Sequence, residues 1–180
     1  MKGVIFTEFV EFVEDRFGPE LAGQMVAASK VPSGGRYNAA GNYDHDELVR
    51  LVNQLGSAQG LPAGTLLRQF GVHLFERFAA LYPIFFADAD SAFALLGNIE
   101  TYIHGELRKL YPDAEFPTFE CGSNAPGNLQ MTYRSERGFG DLAQGLIEGC
   151  IAHFGEPIDV QREDLPADRG QLVRFVLQAS

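Results

Sequence analysis

Hydrophobic residues recur every three or four positions through the first two thirds of the chain, the period of helices with one apolar face. In residues 3–17, for example, Phe6, Phe9 and Val13 fall on one side. A stretch rich in glycine, serine, proline and asparagine at 31–43 interrupts the pattern and is predicted to be a loop. We predict helices over 3–17, from 19 to about 29, from the capping residue Asp44 onward, from Pro62 to about Leu81, and from Asp90 or Ser91 to about Leu110.

The last third of the chain changes to the alternating pattern of β-strands. Residues 116–122 and 128–135 alternate and are joined by a turn rich in glycine and asparagine, which predicts a hairpin. Helical spacing returns over 139–154, and two further strands are predicted at 157–163 and 171–178. The pattern therefore predicts an α+β protein, with a helical N-terminal part followed by an antiparallel sheet and one more helix.

Composition restricts the class of function. The 180 residues suit one domain, and 24 acidic against 14 basic residues give a net charge of −10. This charge disfavours nucleic acid and anionic lipid as partners. No run of 18 apolar residues and no secretion signal is present, so we expect a cytoplasmic protein without a membrane span. Cys121 and Cys150 form neither a metal-binding pair nor a C-x-x-C-H haem attachment.

His104 and the motif around Tyr133 are the candidate functional residues. His104 falls at the margin of the apolar stripe Leu96, Ile99, Ile103, Leu107 and Leu110. It can be a histidine packed on a helix, or a single axial ligand of a haem iron. On an extended segment Tyr133, Ser135 and Arg137 point to one side, where they form either a solvated strand end or a site for a carboxylate or phosphate.

Together these residues resemble the haem-nitric oxide/oxygen-binding (H-NOX) family, whose haem domain also occurs in soluble guanylate cyclase. The resemblance begins at MKGVIF and includes His104, a proline thirteen residues later (Pro117) and the Tyr-x-Ser-x-Arg motif at 133–137. It implies a single domain over 1–180. A helical distal subdomain would cover about 1–60 and a haem-ligating α/β subdomain about 61–180, with one non-covalent haem b between them.

The resemblance also implies roles for individual residues. His104 would be the axial ligand, Tyr133, Ser135 and Arg137 would bind the haem propionates, and Pro117 would press on the porphyrin. The apolar haem pocket would be lined by side chains from several helices: Ile5, Phe6, Phe9, Leu74, Phe75, Phe78, Leu142 and Leu146. Some members carry an acid near the propionate-binding arginine at the position where this chain has His45, and Asp44 or Asp46 would serve instead of it beside Arg137. The zinc-binding cysteine cluster of certain members cannot form from two separated cysteines.

Ligand choice follows from the distal positions in the same way. Oxygen-binding members carry a distal tyrosine where this chain has Leu142, and Leu74 and Phe9 match the other distal positions. None of the three can donate a hydrogen bond to bound oxygen. The resemblance therefore implies a sensor without catalysis of its own that binds NO and CO with little oxygen affinity. A histidine kinase or diguanylate cyclase on a separate chain would read its state.

Two other functions are compatible with the sequence. A haem peroxidase would need a distal base, for which His73 is the candidate because it neighbours Leu74. A haem-free interaction module would instead use the 15 phenylalanines and 6 tyrosines to fill a core or line an apolar cavity.

Overall fold

The predicted helices and antiparallel sheet are both present in the computed structural model, which describes residues 1–123 and 125–180. The helices are α1 (Gly3–Phe17), α2 (Pro19–Ser29), α3 (His45–Gln59), α4 (Ala63–Leu81), α5 (Ala92–Gly97), α6 (His104–Leu110) and α7 (Gly140–Phe154). The strands are β1 (Thr118–Gly122), β2 (Asn128–Ser135), β3 (Ile158–Leu165) and β4 (Gln171–Ala179). The α+β prediction is confirmed.

Local chemistry places the ends of the N-terminal helices where the sequence indicates. The Asp44 carboxylate accepts a hydrogen bond of 3.0 Å from the Asp46 amide and so caps α3. Gly18 separates α1 from α2, and Pro19 occupies the first helical position, where its missing amide hydrogen costs nothing. Gly60 ends α3 at a φ of 65°, in the left-handed region that favours glycine.

The single helix predicted from Asp90 or Ser91 to about Leu110 is wrong. Ser91 does cap a helix, accepting from the Ala94 amide at 3.2 Å, but α5 ends at Gly97. A π-helical turn then spans Ile99–Ile103, in which the His104 amide bonds to the carbonyl five residues back, and α6 begins at His104. We call Ile99–Ile103 the π-turn. Such insertions in helices are rare and frequently occur at functional sites.

The π-turn also changes which residues of this segment are buried. The periodicity places His104 at the margin of an apolar stripe that runs to Leu110. In the structure His104 is buried, with 8% of its surface exposed, whereas Leu110 is 63% exposed. The extra residue per turn rotates the following helix about its axis, which a regular 3.6-residue period cannot anticipate.

The strands form one antiparallel sheet in the order β1-β2-β4-β3. The predicted hairpin is β1 with β2, and its register pairs Phe119 with Tyr133. Helix α7 packs on both the sheet and α4. The approach to α4 is close because a Cβ on Gly145 would lie 2.0 Å from the carbonyl oxygen of Arg68.

The apolar residues form two clusters that meet between α4 and α7. The first cluster is built from α1–α4 with Phe139 and Leu142, and the second from the sheet, α5 and the rest of α7. Leu74 belongs to the first cluster and its neighbour Phe75 to the second, whereas Leu146 packs against both. The candidate site residues are distributed over these two clusters.

Candidate functional site

The imidazole of His104 is held by one carboxylate and two aromatic rings. Its Nδ1 lies 3.1 Å from Oε2 of Glu100, one turn earlier in the π-turn. The rings of Phe116 and Phe119 lie 5.3 and 5.9 Å away, centroid to centroid. A carboxylate can only accept a hydrogen bond, so Nδ1 carries the proton and Nε2 keeps its lone pair. Metal-binding histidines commonly have this arrangement.

Glu100 itself is held from three directions. It accepts hydrogen bonds from Nδ1 of His104, from the guanidinium of Arg108, and from the Phe119 amide at 3.1 Å. Burial opposes ionisation of Glu100, but these three donors together lower the pKa of its carboxyl below the usual value. Burial also lowers the pKa of His104, against the opposing pull of Glu100. The pair is therefore a carboxylate beside a neutral imidazole, the form in which histidine binds metals.

Pro117 lies in the sequence between Phe116 and strand β1. It follows Phe116, whose ring packs on His104, and it directly precedes β1, where Phe119 begins the contact with Tyr133. Its side chain is half-buried. Because proline fixes its own φ, Pro117 restricts the backbone between Phe116, which packs on His104, and the start of β1.

Tyr133, Ser135 and Arg137 do not share one extended segment, and that expectation is wrong. Strand β2 ends at Ser135, and Arg137 lies in the turn that follows. The Tyr133 hydroxyl accepts from the Phe139 amide at 3.2 Å, and the Ser135 hydroxyl accepts from the Arg137 amide at 3.1 Å. Both hydroxyls thus stabilise the turn after β2, because each accepts a hydrogen bond from a backbone amide a few residues further on.

Arg137 is the member of the motif that binds a carboxylate. Its guanidinium donates to the carboxylate of Glu115 and, at 3.3 Å, to the Glu115 carbonyl, and only 18% of its side chain is exposed. A polar cleft of about 270 Å³, lined also by Met1 and Lys2, adjoins it. The pKa of Asp44 is lowered chiefly by the Asp46 amide, and the charge of Arg137 adds to that effect.

The predicted distal residues lie together in the first cluster. Phe9, Leu74 and Leu142 are buried there among apolar side chains, with Ile5 and Phe78 at its edge. Leu146 contacts both clusters, Phe75 belongs to the second, and Phe6 stacks on Tyr37 with ring centroids 4.6 Å apart. His104 packs instead on Phe119, a residue of the second cluster. The candidate ligand and the candidate distal wall thus come from opposite clusters.

His73 packs against α1. Its ring lies 5.4 Å from that of Phe12, and its Nε2 is buried without a hydrogen-bond partner among the described residues. Burying this nitrogen without a hydrogen bond raises the free energy of the folded state, and the surrounding apolar packing must offset that increase.

Glu100, Glu115 and Phe116 form close polar and aromatic contacts of the site, although no motif predicted a role for them. The spacing Glu-x-x-x-His at 100–104 was the available signal, since residues four apart on a helix share a face. Glu115 could not be found in this way, because it lies in the irregular segment between α6 and β1, which has no periodic pattern.

A model of the family described as haem-NO-binding matches residues 2–162. The chain belongs to this family. The Fe(II) unliganded H-NOX protein of K. algicida is 33% identical in sequence. The match covers 100% of this chain and 97% of that protein, with a TM-score of 0.92. The H-NOX protein of S. oneidensis in the Fe(II)NO ligation state shares the fold, with 23% identity, coverage of 100% and 99%, and a TM-score of 0.91.

Among curated proteins, the soluble guanylate cyclase gcy-35 of Caenorhabditis elegans is 26% identical over 157 residues, which cover 82% of this chain. The chain spans only 22% of the length of that relative. H-NOX domains are haem-binding sensor domains, and this one is related to the haem domain of the cyclase. Within the described residues, no helix has both the length and the apolar character needed to cross a membrane.

The residues present fit the haem that the family binds. Nε2 of a neutral, carboxylate-supported imidazole suits iron as an axial ligand. Arg137 already binds one carboxylate, that of Glu115, and its forked guanidinium suits a propionate equally well. The two apolar clusters supply the side chains that a porphyrin would need on its faces, with Leu146 packed against both of them.

Proposed function

We propose that this protein is a nitric oxide sensor that carries one non-covalent haem b per chain, with His104 as the axial ligand. The observation that carries the proposal is the donor set of His104: Nδ1 is engaged by Glu100, and Nε2 is left to bind a metal. When bound, haem supplies a ferrous iron with one open position for a diatomic ligand. The residues of the chain determine which ligand is accepted and how its binding is transmitted.

The propionates would be bound at the turn after β2. Arg137 supplies the charged donor, and the hydroxyls of Tyr133 and Ser135 lie at the same turn. Pro117 would contact the porphyrin, since it is attached to Phe116, the ring that packs on His104. One charged and two neutral donors can hold a carboxylate without a covalent bond, in keeping with the missing C-x-x-C-H motif.

The distal side would be formed by Phe9, Leu74 and Leu142, with Ile5, Phe78 and Leu146 around them. These six side chains are apolar and belong to or pack on the first cluster. A polar oxygen ligand would find no hydrogen-bond donor among them, and a hydrogen bond to a charged partner is worth about 1.5–3 kcal/mol. NO and CO require no such donor. We therefore propose that the protein binds NO and CO and discriminates against oxygen.

Signalling would start at His104. Helix α6 begins at this residue, and the π-turn before it replaces regular helical hydrogen bonds. A change in the force on His104 would therefore act on a short helix whose end, at Leu110, is largely exposed. We propose that a histidine kinase or diguanylate cyclase on a separate chain reads this change in the cytoplasm, and that this chain performs no catalysis.

The proposal is tested by exposing the ferrous protein to air, CO and NO and following the Soret and visible bands. We expect CO and NO complexes and no long-lived oxygen complex. Leu142→Tyr should create measurable oxygen affinity, whereas the matched control Leu142→Phe, which adds the ring without the hydroxyl, should not. A stable oxygen complex of the wild-type protein would contradict the selectivity, and a protein that takes up no haem would contradict the whole proposal. Rapid peroxide turnover would favour the peroxidase alternative instead.

A further inference from the structure

We infer that Glu100 is a positioning residue for the imidazole of His104, and that Glu100 and Arg108 together determine how strongly Nε2 binds iron. The inference rests on the proposed function, because it assigns a partner to the proposed ligand. It assigns a role to Glu100 and Arg108, which lie outside the His104, Pro117 and 133–137 motif set.

Glu100 is anchored independently of His104. The oxygen that faces His104, Oε2, also accepts from the Phe119 backbone amide at 3.1 Å. A backbone donor in a strand cannot rotate away as a side chain can, so it fixes the carboxylate relative to β1. Oε2 of Glu100 therefore connects Nδ1 of His104 to the backbone of β1 and fixes the position of the imidazole relative to the sheet.

This contact selects the state of the imidazole. Oε2 offers only lone pairs, so it favours the tautomer with a proton on Nδ1 and leaves Nε2 free for a metal. Phe116 and Phe119 pack on the ring and restrict its rotation. Without Glu100 the imidazole would lose its only hydrogen bond among the described residues, and neither tautomer nor ring orientation would be fixed.

The charge of Glu100 is shared with Arg108. The guanidinium of Arg108 donates to Oε1, the oxygen that does not face His104, and packs 5.9 Å from the Phe116 ring. An anion on Nδ1–H makes the imidazole a stronger donor to iron, and a cation on that anion reduces the effect. Removing Glu100 and removing Arg108 should thus change the iron–histidine bond in opposite directions.

Glu106 provides a matched control on the same helix. Its carboxylate pairs with Lys109 at 2.6 Å, three residues further on, and both side chains are exposed. Glu106→Gln therefore makes the same chemical change as Glu100→Gln, a carboxylate to an amide, without touching His104. It also leaves the net charge of the two variants equal.

The experiment measures the iron–histidine stretching frequency of the ferrous holoprotein by resonance Raman spectroscopy, together with the midpoint potential and the rate of haem loss. We expect Glu100→Gln to lower the frequency, raise the potential and accelerate haem loss roughly tenfold or more. We expect Arg108→Ala to raise the frequency and lower the potential, with Arg108→Lys between Arg108→Ala and the wild type. Glu106→Gln should match the wild type in all three.

The outcomes separate this inference from the proposed function. Unchanged frequency in Glu100→Gln, or shifts of the same sign in Glu100→Gln and Arg108→Ala, would overturn the inference while leaving haem and NO binding intact. If Glu100→Gln does not fold, the sign of the shift in Arg108→Ala still decides, because a purely structural contact would not strengthen the bond when it is removed. A wild-type protein without a histidine–iron band would overturn the proposed function itself.

Discussion

The first apolar cluster and the segment from the end of α4 to β1 are built on opposite principles. In the cluster, long regular helices bury phenylalanine and leucine completely, as for Phe9, Phe70 and Leu74. In the segment, the elements are short, the π-turn interrupts them, and apolar side chains such as Ile84 are as much as 71% exposed. His104, the proposed ligand, lies in the second kind of structure.

This difference indicates that the first cluster contributes most to the free energy of unfolding and that the segment from the end of α4 to β1 can change conformation more easily. Regions with dense apolar contacts open only at a cost near that of global unfolding, whereas short, irregular and exposed segments move more cheaply. His104 is held largely by Glu100 and two rings rather than by a continuous apolar stripe. A sensor needs this division, because a ligand can shift only the parts whose alternative states are accessible.

The largest effect that separates the two regions is expected from His104→Ala. Removing the proposed axial ligand should abolish most haem retention while the helical cluster keeps its fold. Soret absorbance per protein and far-ultraviolet circular dichroism measure the two properties. His153→Ala, at an exposed residue of α7, is the control and should retain haem. Equal haem content in His104→Ala and the wild type would remove His104 from the site.

Phe70→Ala should have the reverse profile. Phe70 is fully buried against Phe9, with ring centroids 5.0 Å apart, so its truncation should reduce the free energy of unfolding by about 3–5 kcal/mol. Ile84→Ala, in the exposed segment, should change it by no more than about 0.5 kcal/mol. Urea unfolding of both variants and the wild type at equal haem content measures this. Similar losses for the two variants would contradict the division of stability drawn here.

Arg137→Ala tests the turn that connects the two regions. Loss of a charge-assisted hydrogen bond of about 1.5–3 kcal/mol should weaken haem retention on the order of tenfold or more. The rate of haem loss of Arg137→Lys should lie between those of the wild type and Arg137→Ala, because lysine keeps the charge but cannot donate two parallel hydrogen bonds. Transfer of haem to an excess of an acceptor protein gives the rates. Arg134→Ala, at the exposed neighbour on β2, should not change them, and an equal effect there would indicate general electrostatics.

The smallest expected effect is on the loop that packs against the first cluster. Burial, aided by the hydrogen bond to Glu47, raises the pKa of Tyr37 to about 12. The unfolded chain releases this proton near its ordinary pKa of about 10. Stability should therefore fall as the pH rises from about 10 to about 12, and Tyr37→Phe should reduce that fall. Unfolding midpoints against pH test the sign, and an identical slope in Tyr37→Phe would contradict the assignment.

The sequence alone predicted most of the fold because the helices of the first cluster are amphipathic and end at strong local signals. Asp44 and the pair Gly18 and Pro19 act within a few residues, so their effect can be predicted without tertiary contacts. The same reasoning failed between Ser91 and Leu110. The π-turn adds one residue to a helical turn there, and a regular 3.6-residue period does not contain that change.

The candidate site divides in the same way. His104, Pro117 and the 133–137 motif could be found in the sequence because their residue types and spacing match the family pattern. Family membership itself rests on a match over residues 2–162 rather than on any one of them. Their geometry was decided by tertiary structure. The carboxylate of Glu115 reaches Arg137 from the irregular segment before β1, and the Phe119 amide fixes Glu100 from β1 itself. Hydrophobic periodicity and helix caps act over a few neighbouring residues, so the sequence alone determines their effect. Hydrogen bonds between distant residues form only once packing has brought their elements together.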